Sequence, residues 1–308
     1  MSSISITKPY RSLVCFTNRH FPILLAKLRF RKLFGRKLNL KNPQDINEKI
    51  LWLSLFSDTT EWSQLADKYA VREYVAKCGL EDILVKLYGK WDTANAIDWA
   101  SLPNSFVLKT NNGSGTVMIV QDKNQIEKPE VVETLNSWLN KDIASSTTEF
   151  HYKSIPPCII AEELLEPSDE EKTWSTSIID YKIWCFNGKV DSIWTCSNRV
   201  KDSTEVALFD KKWHYRPEAS VFNAHYKEQK HLTPKPACLS QLIEIAEKLS
   251  KPFPVVRCDL YVIKGRPYFG EMTFTSLGGT MNFYTDAELL RMGRKIDLSG
   301  VRRIKRRW

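Results

Sequence analysis

The sequence lacks the cysteine pairs and the long apolar runs that mark several protein classes. Its seven cysteines include no C-x-x-C pair and no metal-ligand spacing, which argues against a disulfide scaffold or a zinc module. No apolar run approaches the ~18 residues of a membrane-spanning helix, and the early run at 21–26 is too short for a secretory signal. We therefore expect a cytoplasmic protein with reduced cysteines, of which five lie in apolar or strand-like surroundings: Cys78, Cys158, Cys185, Cys196 and Cys258.

Several catalytic signatures are also missing. There is no G-x-x-x-x-G-K-[ST] P-loop, and Gly113-x-Gly115 lacks the third glycine of a dinucleotide fingerprint. The absence of a D-x-D motif weakens the case for a glycosyltransferase without excluding it. No Ser/His/Asp or Cys/His arrangement is present, so we expect no nucleophilic side chain. Three histidines, His214, His225 and His231, lie in a polar segment that carries no recognisable pattern.

Acidic residues are too few to balance the basic ones. Lys and Arg number 45 against 36 Asp and Glu, giving a net charge of +9, which favours anionic partners such as nucleotides, acidic glycans or anionic lipid. Nucleic acid is not expected, because the basic residues concentrate at the two ends and no nucleic-acid motif is present. The basic residues at the ends are Lys27, Arg29, Arg31, Lys32, Arg36, Lys37, Lys41, Arg302, Arg303, Lys305, Arg306 and Arg307.

The remaining composition is that of a globular protein with mixed helix and strand patterns. Apolar residues make up 43% and charged residues 26% of 308 positions, which suits one large domain or two lobes. Helical spacing predicts helices at 18–34, 45–55, 67–79, 129–141 and 239–249. Alternating or buried apolar runs predict strands at 83–88, 105–109, 117–120, 158–161, 181–186, 190–195, 255–262 and 267–273. Residues 166–177 and 200–236 are interpreted as irregular, and the fold class is α+β.

A candidate phosphate cradle follows the strand at 105–109. Lys109 ends an apolar strand, where a buried ammonium is costly unless an anion accompanies it. The next residues, 111–116, are Asn, Gly, Ser and Thr, which permit several backbone N–H groups to point at one ligand. The alternative is an exposed hairpin tip beside a surface lysine.

Paired carboxylates lie on the last hairpin. Strand periodicity puts Arg257 and Asp259 on one face of the strand at 255–262. Glu271 and Thr273 likewise share a face of its partner strand. Two carboxylates with a neighbouring hydroxyl suit Mg²⁺, which takes hard oxygen ligands and bridges to nucleotide phosphates. The alternative is a cross-strand ion pair between Arg257 and Glu271 on a solvated face.

Three further charged groups accompany these motifs. Asp180 and Lys182 are two apart on a strand, and Arg199 follows the next strand. Cations that converge on a polyphosphate, or solvated surface charges, would explain them equally well. After the buried strand at 158–161, the run Glu162-Glu163-Leu164 can present a carboxylate and backbone groups to a nucleobase and ribose, or simply begin a loop.

The order of these elements resembles the ATP-grasp superfamily from about Asp67 to Gly279, and is most similar to the TupA-like ATP-grasp family. That family is named for teichuronopeptide biosynthesis and is associated with bacterial surface polysaccharides. The resemblance rests on these stretches: NPQDINEK (42–49), DKYAVREYV (67–75), FVLKTNNGSG (106–115), IIAEELL (159–165), DYKIWCFNGKV (180–190) and VRCDLYVIKGRPYFGEMTF (256–274).

The resemblance implies a fold and a set of domains. The fold would be two α+β lobes that hold ATP between them, preceded by a helical N-terminal segment. The implied divisions are 1–60 for the helical segment, 61–165 for the N-lobe, 166–290 for the C-lobe and 291–308 for a basic tail.

The resemblance also implies roles for individual residues. Lys109 would contact the α- and β-phosphates, and Gly113, Ser114 and Gly115 would form a lid over the phosphates. The remaining nucleotide contacts would be the adenine hinge at Glu162, Glu163 and Leu164, together with Lys182, Arg199 and Lys68. Asp259 and Glu271 would hold Mg²⁺. Many superfamily members have Asn where this chain has Thr273, whose hydroxyl can also ligate Mg²⁺.

The implied chemistry is an ADP-forming ligation of a carboxylate and an amine through an acylphosphate. Positioning and charge neutralisation dominate phosphoryl transfer, so no nucleophilic side chain is needed. We hypothesise that Arg257 orients the carboxylate substrate. The substrates would be borne by a saccharide or a lipid-linked saccharide of a surface polysaccharide such as a capsule or O-antigen, for example an amino acid joined to a uronic acid.

Three other functions remain open at this stage. A sugar or polyol kinase on the same scaffold would use the same ATP site. A glycosyltransferase and a non-catalytic glycan-binding protein are the others, the last because ten tryptophans are available to stack on sugar rings.

The two basic ends suggest a contact with the inner membrane surface. The predicted helix at 18–34 mixes Phe and Leu with Lys and Arg, as interfacial helices do, and the tail at 302–308 adds charge and a tryptophan. The alternative is a helix that packs on the protein body and exposes solvated lysines.

Overall fold

The structure, a computed structural model, describes residues 8–113, 115–142 and 144–305. Its α-helices are α1 (Lys8–His20), α2 (Pro22–Phe34), α3 (Ile46–Phe56), α4 (Thr60–Ala66), α5 (Val71–Lys77), α6 (Lys128–Leu139), α7 (Asp169–Trp174), α8 (Leu239–Ser250) and α9 (Asp286–Arg294). Its strands are β1 (Leu87–Trp91), β2 (Phe106–Thr110), β3 (Val117–Val120), β4 (Ile159–Glu162), β5 (Asp180–Phe186), β6 (Lys189–Val200), β7 (Ser203–Asp210), β8 (Tyr226–Glu228), β9 (Val255–Ile263) and β10 (Arg266–Thr273).

These elements form two compact units. The smaller unit comprises Thr60–Ala144 and His151–Glu166, and the larger unit comprises the other residues that the structure describes. The N-terminal helices α1 to α3 therefore group with the C-terminal sheet, although more than a hundred residues of sequence separate them.

Local signals explain where the N-terminal helices begin and end. Gly35 ends α2 with a left-handed φ of 68°, which lets its N–H return to the carbonyl of Arg31. The Asp45 side chain caps α3 by accepting the N–H of Glu48 at 2.9 Å. The buried face of α2 packs with α3 in an apolar cluster of Ala26, Phe30, Leu38, Leu51 and Leu55.

The smaller unit is built on a four-stranded antiparallel sheet in the order β1-β4-β2-β3. Its core lies between this sheet and α6, and includes Phe106, Leu108, Leu135, Ile159 and Ala161. The central strands β2 and β4 are buried over most of their length. This packing fixes the ends of both strands, where Lys109 and Glu162 stand.

The larger unit is built on a six-stranded sheet in the order β10-β9-β5-β6-β7-β8. Two tight turns connect its hairpins, Asn187-Gly188 and Lys264-Gly265, and all four residues have positive φ. Such φ values are those of the type I′ turn, whose twist matches that of antiparallel strands. The helix α8 packs against β5, β6 and β9.

Several stretches differ from the prediction, and the helix expected at 18–34, for example, is interrupted between His20 and Pro22. Residues 200–236 are not irregular throughout, because β7 is an interior strand between β6 and β8; polar neighbours on both sides hide its Val206–Phe209 run. Residues 166–177 contain the short helix α7, which begins with a capping box between Ser168 and Glu171. The strand predicted at 83–88 begins only at Leu87, because Glu81–Ile83 form a 3₁₀ turn first.

All seven cysteines have free thiols, and Cys158, Cys185, Cys196 and Cys258 are buried while Cys78 is partly exposed. In the described part of the chain, no helix combines the length and the apolar character that crossing a bilayer requires.

Candidate functional site

In the smaller unit, Lys109 has a protein anion as its partner. Lys109 Nζ lies 2.6 Å from Glu162 Oε2, and Arg72 Nη1 lies 3.3 Å from the other oxygen of the same carboxylate. β2 and β4 are antiparallel neighbours in which Glu162 stands opposite Val107, two residues from Lys109, so the pairing brings together two residues 53 positions apart. The Glu162 side chain is 8% exposed and that of Lys109 is 22% exposed. A lysine held by one carboxylate at a strand end remains available to an incoming anion.

Arg72 was not anticipated from the sequence. It lies on α5, and its Nη2 donates to the carbonyl of Val85 at 2.8 Å while Nη1 reaches Glu162. Within the helical pattern at 67–79 it looks like any surface arginine. Only the packing of α5 beside the end of β4 gives it a specific partner.

The loop after Lys109 is anchored at both ends. Thr110 and Thr116 join their hydroxyls at 2.7 Å across its base. Asn111 donates to the carbonyl of Pro156 and accepts the N–H of Cys158. A Cβ at Gly113 would come within 2.6 Å of Thr116 Oγ1, so only glycine fits there without a shift.

Two further predicted residues belong to this loop. Lys68 donates through Nζ to the carbonyl of Gly113, which ties the loop to the chain before α5. Gly115 has a φ of +72°, a left-handed value that favours glycine. Ser114, predicted to be part of the same lid, lies outside the described residues.

The segment after β4 was predicted to serve as a hinge. Glu162 is buried against Lys109, whereas the Glu163 side chain is exposed and Leu164 is half-buried. The Glu163 N–H donates to the carbonyl of Lys86 at 2.9 Å. This bond anchors the start of the segment to the chain before β1.

In the larger unit, Arg257 and Asp259 form a two-pronged ion pair on β9. Arg257 Nε lies 2.6 Å from Asp259 Oδ1, and Nη2 lies 2.7 Å from Oδ2. Arg257 also donates to Ser276 Oγ at 2.8 Å and to Thr273 Oγ1 at 3.1 Å. Both ions are nearly inaccessible, and the planar guanidinium matches the carboxylate in the bidentate geometry that is strongest for such pairs. Ser276 was not among the predicted residues.

A second cation meets the same carboxylate. Lys182 Nζ lies 2.6 Å from Asp259 Oδ2 and 3.6 Å from Asp180 Oδ2. Lys182 faces Asp259 across the β5–β9 ladder. Arg199, at the end of β6, pairs with Asp180. These residues form a continuous chain of alternating charges over three neighbouring strands.

The alternating charges on β5, β6 and β9 stabilise one another. Burial alone would lower the pKa of Lys182, but the neighbouring Asp180 and Asp259 carboxylates outweigh it and raise the pKa. Burial alone would raise the pKa of Asp259, and the two cations Arg257 and Lys182 reverse this, so that the pKa falls below its usual value. Lys182 and Asp259 are therefore both held in their charged forms.

Glu271 and Thr273 complete this group from β10. A bulge at Gly270 shifts the register so that Glu271 stands opposite Asp259 and Thr273 opposite Arg257. Thr273 donates its hydroxyl to Glu271 Oε1 at 2.9 Å, and Arg257 Nη2 lies 3.5 Å from the same oxygen. The Glu271 side chain is 41% exposed, so it is the accessible carboxylate of the pair.

The donor set fits a hard divalent cation that arrives with further ligands. Asp259, Glu271 and Thr273 offer only oxygen donors, as Mg²⁺ prefers. In the part of the chain that the structure describes, no cluster of three or more His, Cys, Asp or Glu residues could hold a metal ion by itself. Asp259 already has two cationic partners. The site therefore fits a metal ion whose positive charge is offset by the oxygens of a bound polyphosphate.

The predicted residues thus fall into two sets, one in each unit. The smaller unit holds Lys68, Lys109, Gly113, Gly115, Glu162, Glu163 and Leu164. The larger unit holds Lys182, Arg199, Arg257, Asp259, Glu271 and Thr273. Within each set, side-chain or backbone hydrogen bonds link most of the members.

Comparison with known proteins gives one family and several solved structures. The model of a family described as TupA-like ATP-grasp matches residues 48–296. None of the curated proteins matches the sequence. Among solved structures, D-alanine--D-alanine ligase from Bacillus anthracis is 16% identical, with 82% of this chain and 75% of that chain covered and a TM-score of 0.48. An L-amino acid ligase from Bacillus licheniformis is 14% identical, with 88% and 56% covered and a TM-score of 0.45.

Proposed function

We propose, from the premise that the chain belongs to the TupA-like ATP-grasp family, that this ATP-grasp enzyme joins a carboxylate to an amine and releases ADP and phosphate. The observation that carries the proposal is the charged group on β5, β9 and β10. It offers cations for a polyphosphate and oxygen donors for a metal ion on one face of one sheet. Such an arrangement stabilises charge in phosphoryl transfer and supplies no nucleophile of its own.

The reaction consists of two balanced transfers. A carboxylate oxygen of the substrate attacks the γ-phosphorus of ATP, and the bond from that phosphorus to the bridging oxygen of ADP breaks. An amine then attacks the carbonyl carbon of the acylphosphate, phosphate leaves with its bonding electron pair, and the amine loses a proton. Negative charge moves between oxygens in both transfers, so fixed cations lower both barriers.

In our proposal, Arg257 and Lys182 are cations that stabilise the negative charge on these oxygens. Arg257 is held by Asp259, Thr273 and Ser276, so its guanidinium is oriented before a substrate arrives. A preorganised donor costs no reorganisation during the reaction. We assign to Arg257 the orientation of the carboxylate substrate, and to Lys182 and Arg199 the phosphate oxygens.

On the smaller unit, Lys109 would bind the α- and β-phosphates and Gly113 to Gly115 would cover them. The anchored base of this loop supports that assignment, because the hydroxyl pair Thr110–Thr116 and the Asn111 contacts fix where the loop leaves and rejoins the sheet. Lys68 would act through its bond to the Gly113 carbonyl. Glu162, Glu163 and Leu164 would border the adenine.

Asp259, Glu271 and Thr273 would hold Mg²⁺, and Mg·ATP when bound supplies the phosphoryl group that is transferred. The oxygen-only donor set supports this assignment. The residues of this protein would orient the phosphates, offset their negative charge and hold the carboxylate substrate in line with the γ-phosphorus.

The substrates in the proposal are a carboxylate and an amine of which at least one is borne by a saccharide or lipid-linked saccharide of a bacterial surface polysaccharide. The family matched at residues 48–296 is TupA-like, and the teichuronopeptide biosynthesis for which that family is named supports this class. The proposed location is the cytoplasm, with peripheral contact to the inner membrane surface.

Calorimetric titration of Mg·ATP into wild-type protein and Lys109→Ala tests the nucleotide site. We expect micromolar-range affinity in the wild type and at least roughly tenfold weaker binding in the variant, because a charge-assisted contact is lost. Lys90→Ala is the control, since Lys90 is on the same sheet but pairs with Asp92 at the surface. Absence of ATP binding in the wild type would contradict the proposal.

Trapping with hydroxylamine tests the reaction class. An acylphosphate is captured as a hydroxamate, whereas the phosphate ester of a sugar or polyol kinase is not. We expect ADP release with candidate carboxylates to be accompanied by hydroxamate. ADP release that gives a stable sugar phosphate and no hydroxamate would identify a kinase instead.

A further inference from the structure

The helix α2 has two apolar faces, and only one of them is used within the protein. Its inner face is buried at Leu25, Ala26 and Phe30, and the last two pack on α3. Its outer face carries Leu24 and Leu28, which are 49% and 56% exposed. A helix that only packs on the protein body has a polar outer face.

The exposed apolar residues form a continuous stripe. Phe21, Leu24 and Leu28 are spaced by three and four residues, so they lie on one side of α2. α1 adds Leu13 and Phe16, also spaced by three and both more than half exposed. Of the thirteen large apolar side chains that are exposed in the described residues, six lie between Leu13 and Leu33. We call residues 13–33 the N-terminal patch.

The charged side chains of the N-terminal patch itself all have one sign. The first 44 residues of the sequence contain ten Lys and Arg and no Asp or Glu. Lys27, Arg31 and Lys32 are exposed on α2 beside the apolar stripe. A solvated helix surface ordinarily mixes both signs, and a basic helix with an exposed apolar stripe has the character of an interfacial helix.

The basic C-terminal stretch contacts the end of α3, which packs on α2. The Ile304 N–H donates to the carbonyl of Phe56 at 2.7 Å, and the Arg303 guanidinium lies 4.5 Å from the centre of the Phe56 ring. Phe56 itself packs against the cluster that α2 forms with α3. Arg302, Arg303 and Lys305 are exposed there. Two basic segments that are distant in sequence therefore share one part of the larger unit.

We propose that the N-terminal patch docks on a bilayer of anionic phospholipid. Phe21, Leu24 and Leu28 would enter the boundary between headgroups and acyl chains, and the flanking Lys27, Arg31 and Lys32 would meet lipid phosphates. This proposal deepens the peripheral location given above and rests on that part of the proposed function. The docked protein would stand beside substrates that are themselves attached to lipid.

Co-sedimentation of the full chain with vesicles tests the surface. We expect sedimentation with vesicles of phosphatidylcholine and phosphatidylglycerol at low salt, weaker sedimentation at high salt, and none with phosphatidylcholine alone. Leu24→Asp/Leu28→Asp should lower the partition coefficient by roughly tenfold or more. Lys27→Glu/Arg31→Glu should lower it by a similar factor. Leu232→Asp is the matched control, because Leu232 is a 44% exposed leucine of the larger unit outside the patch.

Three outcomes would contradict the proposed membrane contact of the N-terminal patch. One is a wild-type protein that stays in the supernatant when anionic vesicles are sedimented at low salt. Another is sedimentation that the Leu24→Asp/Leu28→Asp change does not weaken. The third is a dimer, seen by light scattering, that the same change dissociates while vesicles bind neither protein; the patch would then join two copies.

The same variants separate this proposal from the ligase proposal. The substituted side chains of the N-terminal patch are exposed, so Mg·ATP affinity should stay at the wild-type value. Variants that lose vesicle binding and keep normal ATP binding support the patch, whereas a wild-type protein that binds ATP and stays off anionic vesicles contradicts the patch alone. A wild-type protein that sediments with vesicles and does not bind ATP contradicts the ligase proposal alone.

Discussion

At the residue scale, the two cationic partners of Asp259 determine which ligands the site can bind. Both of its oxygens accept hydrogen bonds from Arg257, and one also meets Lys182. A carboxylate with two cationic partners has little attraction left for a free divalent ion. The same cations become an advantage when negative phosphate accompanies the metal, because they attract the phosphate.

Lys182→Met should therefore change metal and nucleotide affinity in opposite directions. Loss of one cation beside Asp259 should strengthen binding of Mn²⁺ alone by roughly tenfold, because the repulsion between two close positive charges disappears. Binding of ATP should weaken by a similar factor. Electron paramagnetic resonance of Mn²⁺ and calorimetry of ATP measure the two affinities separately.

Lys189→Met is the control for this change, since Lys189 pairs with Glu247 on an exposed surface. It should leave both affinities at the wild-type value. If Lys182→Met weakened Mn²⁺ binding, Lys182 would not oppose the metal, and the assignment of Asp259 as a ligand would have to be abandoned.

At the element scale, the placement of α9 depends on one glycine. A Cβ at Gly293 would come within 2.2 Å of the carbonyl oxygen of Gln44 and 2.5 Å of Asp45 Cα. The backbone of α9 therefore touches the chain that caps α3. The segment before α9, through Met281, is also tied to α3 by the Asn47 side chain, at 2.9 and 3.0 Å.

Gly293→Ala should destabilise the larger unit. The added methyl group has no room unless α9 and the start of α3 move apart, and overpacking of this kind costs about 1–3 kcal/mol. Urea unfolding followed by circular dichroism measures the change in the free energy of unfolding. Gly300→Ala is the control, because a Cβ there meets no atom within 4 Å; its effect should stay within about 0.5 kcal/mol. Equal stabilities for the two variants would refute this close packing.

At the scale of the whole molecule, a charged network joins α9 to the large sheet. Asp191 on β6 accepts two bonds from Arg291, at 2.9 and 2.5 Å, and lies 2.7 Å from Lys295. Arg291 continues to Glu288, which Arg216 binds through two further hydrogen bonds. Burial alone would raise the pKa of Asp191, but the two cations overcome it and lower the pKa to about 2.

This shift predicts how stability depends on pH. The folded pKa is below the unfolded value of 3.8, so the stabilisation is complete above about pH 4 and is lost as the pH falls towards about 2. Its size is on the order of 2 kcal/mol. Asp191→Asn should therefore lower the free energy of unfolding at pH 6 and flatten its decline between pH 4 and pH 2, measured in urea.

Asp169→Asn provides the comparison, since Asp169 is fully exposed and pairs only with Lys172. It should leave both the stability at pH 6 and the acid slope unchanged. An acid slope for Asp191→Asn equal to that of the wild type would show that the Arg291 and Lys295 contacts do not govern this titration.

The family and the α+β ATP-grasp fold were recognised from the sequence, and the family match at 48–296 confirms both. The strands on both sides of the Asn187-Gly188 turn were also predicted, because the residues that flank it alternate, and Asn and Gly favour the positive φ that a two-residue hairpin turn needs. Strand β7 was missed, since an interior strand with polar flanks shows neither alternation nor a long apolar run.

The sequence by itself determined which residue types stand at the ends of which strands, because strand alternation and turn chemistry are local properties. It placed Arg257 with Asp259 on one face, and Glu271 with Thr273 on one face of the next strand. Only the tertiary structure decided that these are the same face, because the bulge at Gly270 changes the register by one residue. The pairing of Glu162 with both Lys109 and Arg72 likewise required the packing of β2, β4 and α5, which no local pattern specifies.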